Sequence, residues 1–158
     1  MTAAKVAQRL KAHGALIVTA ESCTGGWVAQ ELTAIAGSSA WFDRGFVTYS
    51  NEAKQEMLGV RAETLRKHGA VSEETAREMA QGALERSRGT VSLAITGIAG
   101  PSGGTPDKPV GTVCFAWATR QGTMRAETKH FPGDREAVRR RSVEYSLAGV
   151  LQLLDEPR

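Results

Sequence analysis

Three short runs of apolar and β-branched residues stand well apart along this chain: ALIVTA at 15–20, WFDRGFVTYS at 41–50 and VSLAIT at 91–96. Each reads as a β-strand. ALIVTA and VSLAIT contain no charged residue, so they suit strands covered on both faces by helices. The segments around them carry helical spacing. Residues 3–13 place Ala3, Val6 and Leu10 on one side and stop at Gly14. WVAQELTAIA places Val28, Leu32 and Ile35 together and is ended by Gly37. NEAKQEMLGV predicts a short helix ending near Gly59, and Ala62 to His68 another. Ser72 followed by Glu73 and Glu74 is a helix start, a capping hydroxyl with two acids at the positive end of the dipole; that helix is expected to run to about Ser87.

Beyond VSLAIT the pattern changes. GIAGPSGGTPDKPVG, 97–111, has five glycines and three prolines, too many for a helix or a central strand. VGTVCFAWAT and GTMRAETKHF flank an Arg120-Gln121-Gly122 turn and read as an antiparallel hairpin. In the second arm Arg125, Glu127 and Lys129 alternate with smaller residues, which predicts one wet face. Asp134 is expected to cap a last helix that turns Val138, Tyr145, Ala148 and Leu151 inward. The expected fold is α/β: a three-layer α/β/α sandwich on a mixed, mostly parallel sheet with a C-terminal antiparallel hairpin. A chain of 158 residues suits a single domain, 1–158, with one core.

Composition removes several classes of function. Hydrophobic residues make up 41% and charged residues 23%, as in soluble globular domains. The net charge is +3, too small a bias to argue for nucleic acid; the run Arg139-Arg140-Arg141 near Arg135 reads first as a solvated helix face. Two cysteines, Cys23 and Cys114, form no disulfide framework, and no metal-ligand spacing involves them or His13, His68 and His130. No metal and no cofactor are expected. The N-terminus is amphipathic and charged, unlike a secretory signal, and no apolar run approaches a membrane span. A reducing cytoplasm is the expected location, with no membrane partner. Trp27, Trp41, Phe42 and Phe46 are candidates for a homo-oligomer interface, and core packing explains them equally well.

Three polar corners follow the three strands. TAESCTGGW puts Ser22 between a buried strand and a helix, where free backbone N–H groups and the helix dipole favour an anion or an oxyanion. Gly25 and Gly26 let a ligand approach the backbone, while Ser22 or Thr24 could simply cap the helix. The segment is neither a GxSxG elbow nor a Walker loop. Cys23 suits buried packing better than nucleophilic duty. At the second corner, Thr48-Tyr49-Ser50-Asn51-Glu52-Ala53-Lys54, a desolvated lysine could act as general base for Ser22. An exposed lysine is the plain alternative, and Ser50 is a rival nucleophile. The third corner, Thr96-Gly97-Ile98-Ala99-Gly100-Pro101 with Gly103 and Gly104 beyond, can form an anion nest, with Arg135 and Arg139 as charged partners for a phosphate. The corners meet only if their strands are parallel neighbours.

TAESCTGGWVA, GSSAWFDRGFVTYSNEAKQEMLGV, GAVSEETAREMA, ITGIAGPSGGTPDKPVGTVCFA and FPGDREAVRRR together resemble the CinA C-terminal domain family over roughly residues 5–152. The resemblance implies that a stand-alone member is a serine amidase that hydrolyses the carboxamide of nicotinamide mononucleotide to nicotinate mononucleotide and ammonia. It implies Ser22 as nucleophile, Lys54 as base, and Tyr49 and Thr96 as active-site residues. The corner residues Thr24, Gly25, Gly26, Gly97 and Gly100 and one of Arg135 or Arg139 are then expected to hold the substrate. Longer members carry a further N-terminal domain of molybdopterin-binding type. The family match lacks that domain here, which favours the amidase. The other expectation it leaves open is a non-catalytic nucleotide-binding or regulatory module linked to competence and DNA damage.

Overall fold

The computed structural model describes residues 2–155. In chain order its elements are α1 (Thr2–Ala12), β1 (Ile17–Glu21), α2 (Trp27–Thr33), β2 (Phe42–Val47), α3 (Asn51–Leu58), α4 (Ala62–His68), α5 (Glu73–Glu85), β3 (Val91–Gly97), β4 (Thr112–Thr119), β5 (Met124–His130) and α6 (Arg135–Asp155). The five strands form one mixed sheet in the order β2-β1-β3-β4-β5. β1 pairs in parallel with both β2 and β3. β3–β4 and β4–β5 are antiparallel.

The sheet is therefore half parallel, against the expectation of a mostly parallel one. The reason lies in 97–111. A parallel return needs a crossover, usually a helix, and this stretch is too rich in glycine and proline to make one. The chain turns back and β4 pairs antiparallel with β3.

Period-2 alternation sends successive side chains to opposite faces. Ile17, Leu93, Ile95, Phe115 and Trp117 join one apolar cluster with α1, α2 and α6. Val18, Ala20, Ala94, Cys114 and Ala116 join a second with α5 and the end of α3. β1 and all but the last residue of β3 are buried, as the uncharged runs at 17–20 and 91–96 require; the charged Glu21 that ends β1 is buried as well.

Three expectations are corrected. α2 stops at Thr33 instead of near Gly37, and a 3-10 turn at Ser38–Ala40 carries the chain on to β2. In α6, Ala148 is exposed, and the inward face instead carries Ser142, Ser146 and Gly149 among its apolar residues. Small residues are needed there because a Cβ on Gly149 would lie 2.1 Å from the Trp117 ring. The charged residues of β5 make the expected wet face only in part: Lys129 is exposed, while Arg125 and Glu127 are half-buried. Arg125 lies over Trp117 at 4.6 Å, Lys129 over Tyr145 at 5.0 Å, and Glu127 accepts from the Tyr145 hydroxyl. Their long stems cover an aromatic group that an edge strand would otherwise expose. Of the candidate interface aromatics, Trp41 is buried in the core, while Trp27, Phe42 and Phe46 are half-buried against it. Among the described residues no helix is long and apolar enough to cross a membrane.

Candidate active site

The parallel strands β2, β1 and β3 are neighbours, so their carboxyl ends share one rim. The ladder continues for one residue beyond β1: Ser22 N–H donates to the Ile95 carbonyl at 3.0 Å, and Thr48 N–H donates to the Glu21 carbonyl at 2.8 Å. The three polar corners are thus held side by side by main-chain bonds.

Ser50 starts α3. Its hydroxyl accepts from the Ala53 N–H, a standard N-cap, which occupies Ser50 in capping. Lys54 then falls on the inner side of α3 and is 1% exposed. Its Nζ lies 3.0 Å from Ser22 Oγ, 2.9 Å from the Thr48 carbonyl and 3.5 Å from the Tyr49 carbonyl. All three partners are oxygens of neutral groups. Burial holds the amine below the ordinary lysine pKa, because a charge without a carboxylate is poorly solvated there. A neutral amine has two hydrogens and one lone pair. As an ammonium, Nζ donates to all three oxygens; in the neutral form it keeps two hydrogens for the carbonyls and has a lone pair for the Ser22 hydroxyl.

Cys23 is also buried, and burial pushes its thiol up to about 12. It is a protonated, inert group at neutral pH, in line with the packing role expected of it.

The helix after Ser22 departs from expectation. The N–H groups of Gly26, Val28 and Ala29 do not wait for a ligand. They donate to the carboxylate of Glu21 at 3.2, 2.9 and 3.1 Å, and the Thr24 hydroxyl donates to it at 2.7 Å. Gly25 N–H turns back to the Ser22 carbonyl. The N–H groups of Cys23 and Thr24 have no main-chain acceptor among the described residues. Glu21 escaped the sequence reading. Its signal was a lone carboxylate ending an otherwise uncharged strand, five residues ahead of the glycine that caps the next helix.

A cleft of about 260 Å³ opens on this rim. Ser22, Lys54, Tyr49, Thr96, Gly97, Gly100 and Arg135 line it, as do Asn51, Ser102 and Gly103. Thr96 is buried, and its hydroxyl donates to the Ala70 carbonyl at 2.8 Å. Tyr49 is 62% exposed; its phenol accepts from Arg135, which also donates to the Gly100 carbonyl at 2.8 Å. One guanidinium thus ties the second corner to the third across the mouth. A larger hollow of about 490 Å³ lies by His13, Thr90 and Arg120. Arg120 is spent there on the carbonyls of Leu84, Ser87 and Gly89.

Other expected binding residues stand outside the cleft. Thr24 is turned onto Glu21. Gly25 and Gly26 have φ of +58° and +103°, so their freedom is used in the turn itself. Arg139 donates to the carbonyls of Cys23 and Thr24 and lies over the Trp27 ring. Of the two candidate arginines, Arg135 lines the cleft and Arg139 braces the turn beneath it.

A family model described as the CinA C-terminal domain matches residues 1–154. The chain is 60% identical over 148 residues to a protein of Escherichia coli (strain K12) named nicotinamide-nucleotide amidohydrolase PncC, covering 94% of this chain and 90% of that one. It is 50% identical over 151 residues to a CinA-like protein of Syntrophobacter fumaroxidans, covering 96% of this chain but 35% of that longer one. The crystal structure of the competence/damage inducible protein CihA from Agrobacterium tumefaciens has a TM-score of 0.94 at 47% identity, over 98% of this chain and 94% of that one. With the domain model spanning nearly the whole sequence, this chain belongs to the CinA C-terminal domain family.

Proposed function

We propose that this protein is a nicotinamide-nucleotide amidohydrolase that converts nicotinamide mononucleotide and water to nicotinate mononucleotide and ammonia, with Ser22 as nucleophile and Lys54 as base. One observation carries the reading: a buried amine with no anionic partner among the described residues, 3.0 Å from the hydroxyl of Ser22, on the wall of a cleft with an arginine at its mouth. The 60% identity to the Escherichia coli amidohydrolase supports the choice of substrate.

The chemistry follows from the protonation state. Neutral Lys54 accepts the Ser22 proton as Oγ attacks the carboxamide carbon. The N–H groups of Cys23 and Thr24 are the donors left for the developing oxyanion, each worth roughly 3–4 kcal/mol in such sites. The lysine, now an ammonium, returns its proton to the amide nitrogen, and ammonia departs. Water enters; Lys54 takes its proton, and the hydroxide adds to the acyl carbon. The carbon–Oγ bond breaks, the carboxylate is released, and the proton returns to Ser22. The pyridinium ring withdraws electrons from the amide, so a modest base suffices.

Arg135, Ser102 and the Gly100–Gly103 turn make the anion-holding end of the cleft. Tyr49 has two duties: its carbonyl holds Lys54 and its phenol holds Arg135. Thr96 braces the wall through Ala70. An ammonia-release assay tests the reading. Nicotinamide mononucleotide is expected to turn over, and Ser22→Ala to abolish turnover without loss of fold. Nucleotide binding without ammonia release would instead favour the regulatory module.

A further inference from the structure

We propose that Glu21 is a positioning residue for Ser22, acting through the turn that carries the nucleophile; this rests on the reading of Ser22 above. An ordinary helix cap is a small polar residue immediately before the first turn. Here that place is Gly26, which has no side chain to cap with. The cap comes instead from Glu21, on the far side of the 22–25 turn. Its Oε1 accepts from Thr24, Gly26 and Val28, and its Oε2 from Ala29. The bonds therefore cross the turn and tie its end back to its beginning.

The need for a carboxylate follows from the count. The side chain is 1% exposed, and a buried carboxylate is tolerated only where hydrogen bonds replace water. Four donors converge on it and no hydrogen bond leaves it, so only a group with two accepting oxygens fits. Ser22 is the next residue. Its N–H is fixed to Ile95, its carbonyl accepts from Gly25, and Arg139 holds the next two carbonyls. With both ends of the turn fixed, the direction of the Ser22 Cα–Cβ bond is set, and the hydroxyl meets Lys54.

Glu21→Gln is the sharpest test. The amide keeps one accepting oxygen but turns an NH₂ toward the Ala29 N–H, donor against donor. Expected is a fall in kcat of about a hundredfold, the scale of a misplacement near 1 Å, with KM for nicotinamide mononucleotide kept within about twofold. Thr90→Val, which removes the hydroxyl that bonds the Leu16 main chain at the end of the sheet opposite the cleft, serves as a control for lost stability. It is expected to lower Tm while leaving kcat unchanged. The rate at which a fluorophosphonate labels Ser22 should fall with kcat in Glu21→Gln. If Glu21→Gln does not fold, Thr24→Val replaces it, with about tenfold lower kcat expected and rescue by Thr24→Ser.

A Glu21→Gln variant that loses Tm as Thr90→Val does and keeps kcat within about threefold of the parent overturns the proposal, leaving Glu21 a cap and nothing more. If the parent releases no ammonia from the nucleotide, the substrate reading fails by itself, and labelling still decides this one. Slower labelling in Glu21→Gln supports positioning; equal labelling, or none in either protein, overturns it.

Discussion

Lys54 and Thr48 are joined by a 2.9 Å hydrogen bond from the lysine nitrogen to the threonine carbonyl, and the N–H of that same Thr48 is bonded to the carbonyl of Glu21, one residue before Ser22. Lys54 and Ser22 are thus tied to one short stretch of main chain. The distance between them is set by strand pairing, which is stiffer than any side chain.

The first prediction concerns the base. Lys54→Met keeps the bulk of the side chain and removes the amine. Turnover of nicotinamide mononucleotide is expected to drop by about 10²–10⁴-fold, the usual weight of a general base. Product affinity, measured by calorimetry, should be largely kept. Full activity at neutral pH would assign the proton transfer elsewhere.

The second follows from the depressed lysine pKa. Only neutral Lys54 can take the proton, so kcat/KM should rise with pH through an acidic limb that lies below the ordinary lysine value. The unfolded chain binds the Lys54 proton more tightly than the folded one. Stability linked to this group is therefore lost as pH falls toward the folded-state pKa and recovered as pH rises toward the unfolded value. A pH series of kcat/KM in parent and Lys54→Met checks both: the limb should vanish in the variant's residual activity, and its stability should vary less with pH.

The corner geometry explains how far the sequence could be read. The placement of Ser22, Lys54, Thr96, Gly97 and Gly100 on one cleft was legible because each stands at or beyond the end of a strand whose hydrophobic pattern is plain, and parallel neighbours bring such corners to one rim. Thr24, Gly25, Gly26 and Arg139 were legible as a cluster but not as a turn built inward on itself, since that depends on where the Glu21 carboxylate points. The hydropathy of β5 suggested a wet face because periodicity records charge and cannot show that Arg125 and Lys129 lie over rings. The mostly parallel expectation failed because the pattern identifies strands and does not give the direction in which they pair.

The two arginines should separate cleanly. Arg135→Ala is expected to raise KM for nicotinamide mononucleotide by roughly tenfold or more, as loss of a charge-assisted hydrogen bond of about 1.5–3 kcal/mol implies. It should leave Tm nearly unchanged, since Arg135 is exposed. Arg139→Ala should do the reverse, lowering kcat and Tm with little change in KM. Steady-state kinetics beside thermal melts distinguish these patterns, and equal effects in both variants would put both side chains on the substrate.

Gly82 offers a test from a distance. It lies in α5, and a Cβ there would sit 1.9 Å from the Leu58 carbonyl oxygen at the end of α3. Gly82→Ala must push α3 away, at a cost of about 1–3 kcal/mol for the overpacking. Because α3 also carries Lys54, activity should fall beyond what lost stability explains. Assays well below the variant's Tm check this, and unchanged kcat there would mean that α3 yields without moving its lysine.

Cys23 stands directly beside Ser22, and burial keeps its sulfur protonated up to about 12. Peroxides and alkylating agents consume thiolates far faster than thiols. Ser22 therefore has a neighbour that is captured only slowly, and the proposed hydrolysis should outlast oxidative stress that silences cysteine-dependent hydrolases.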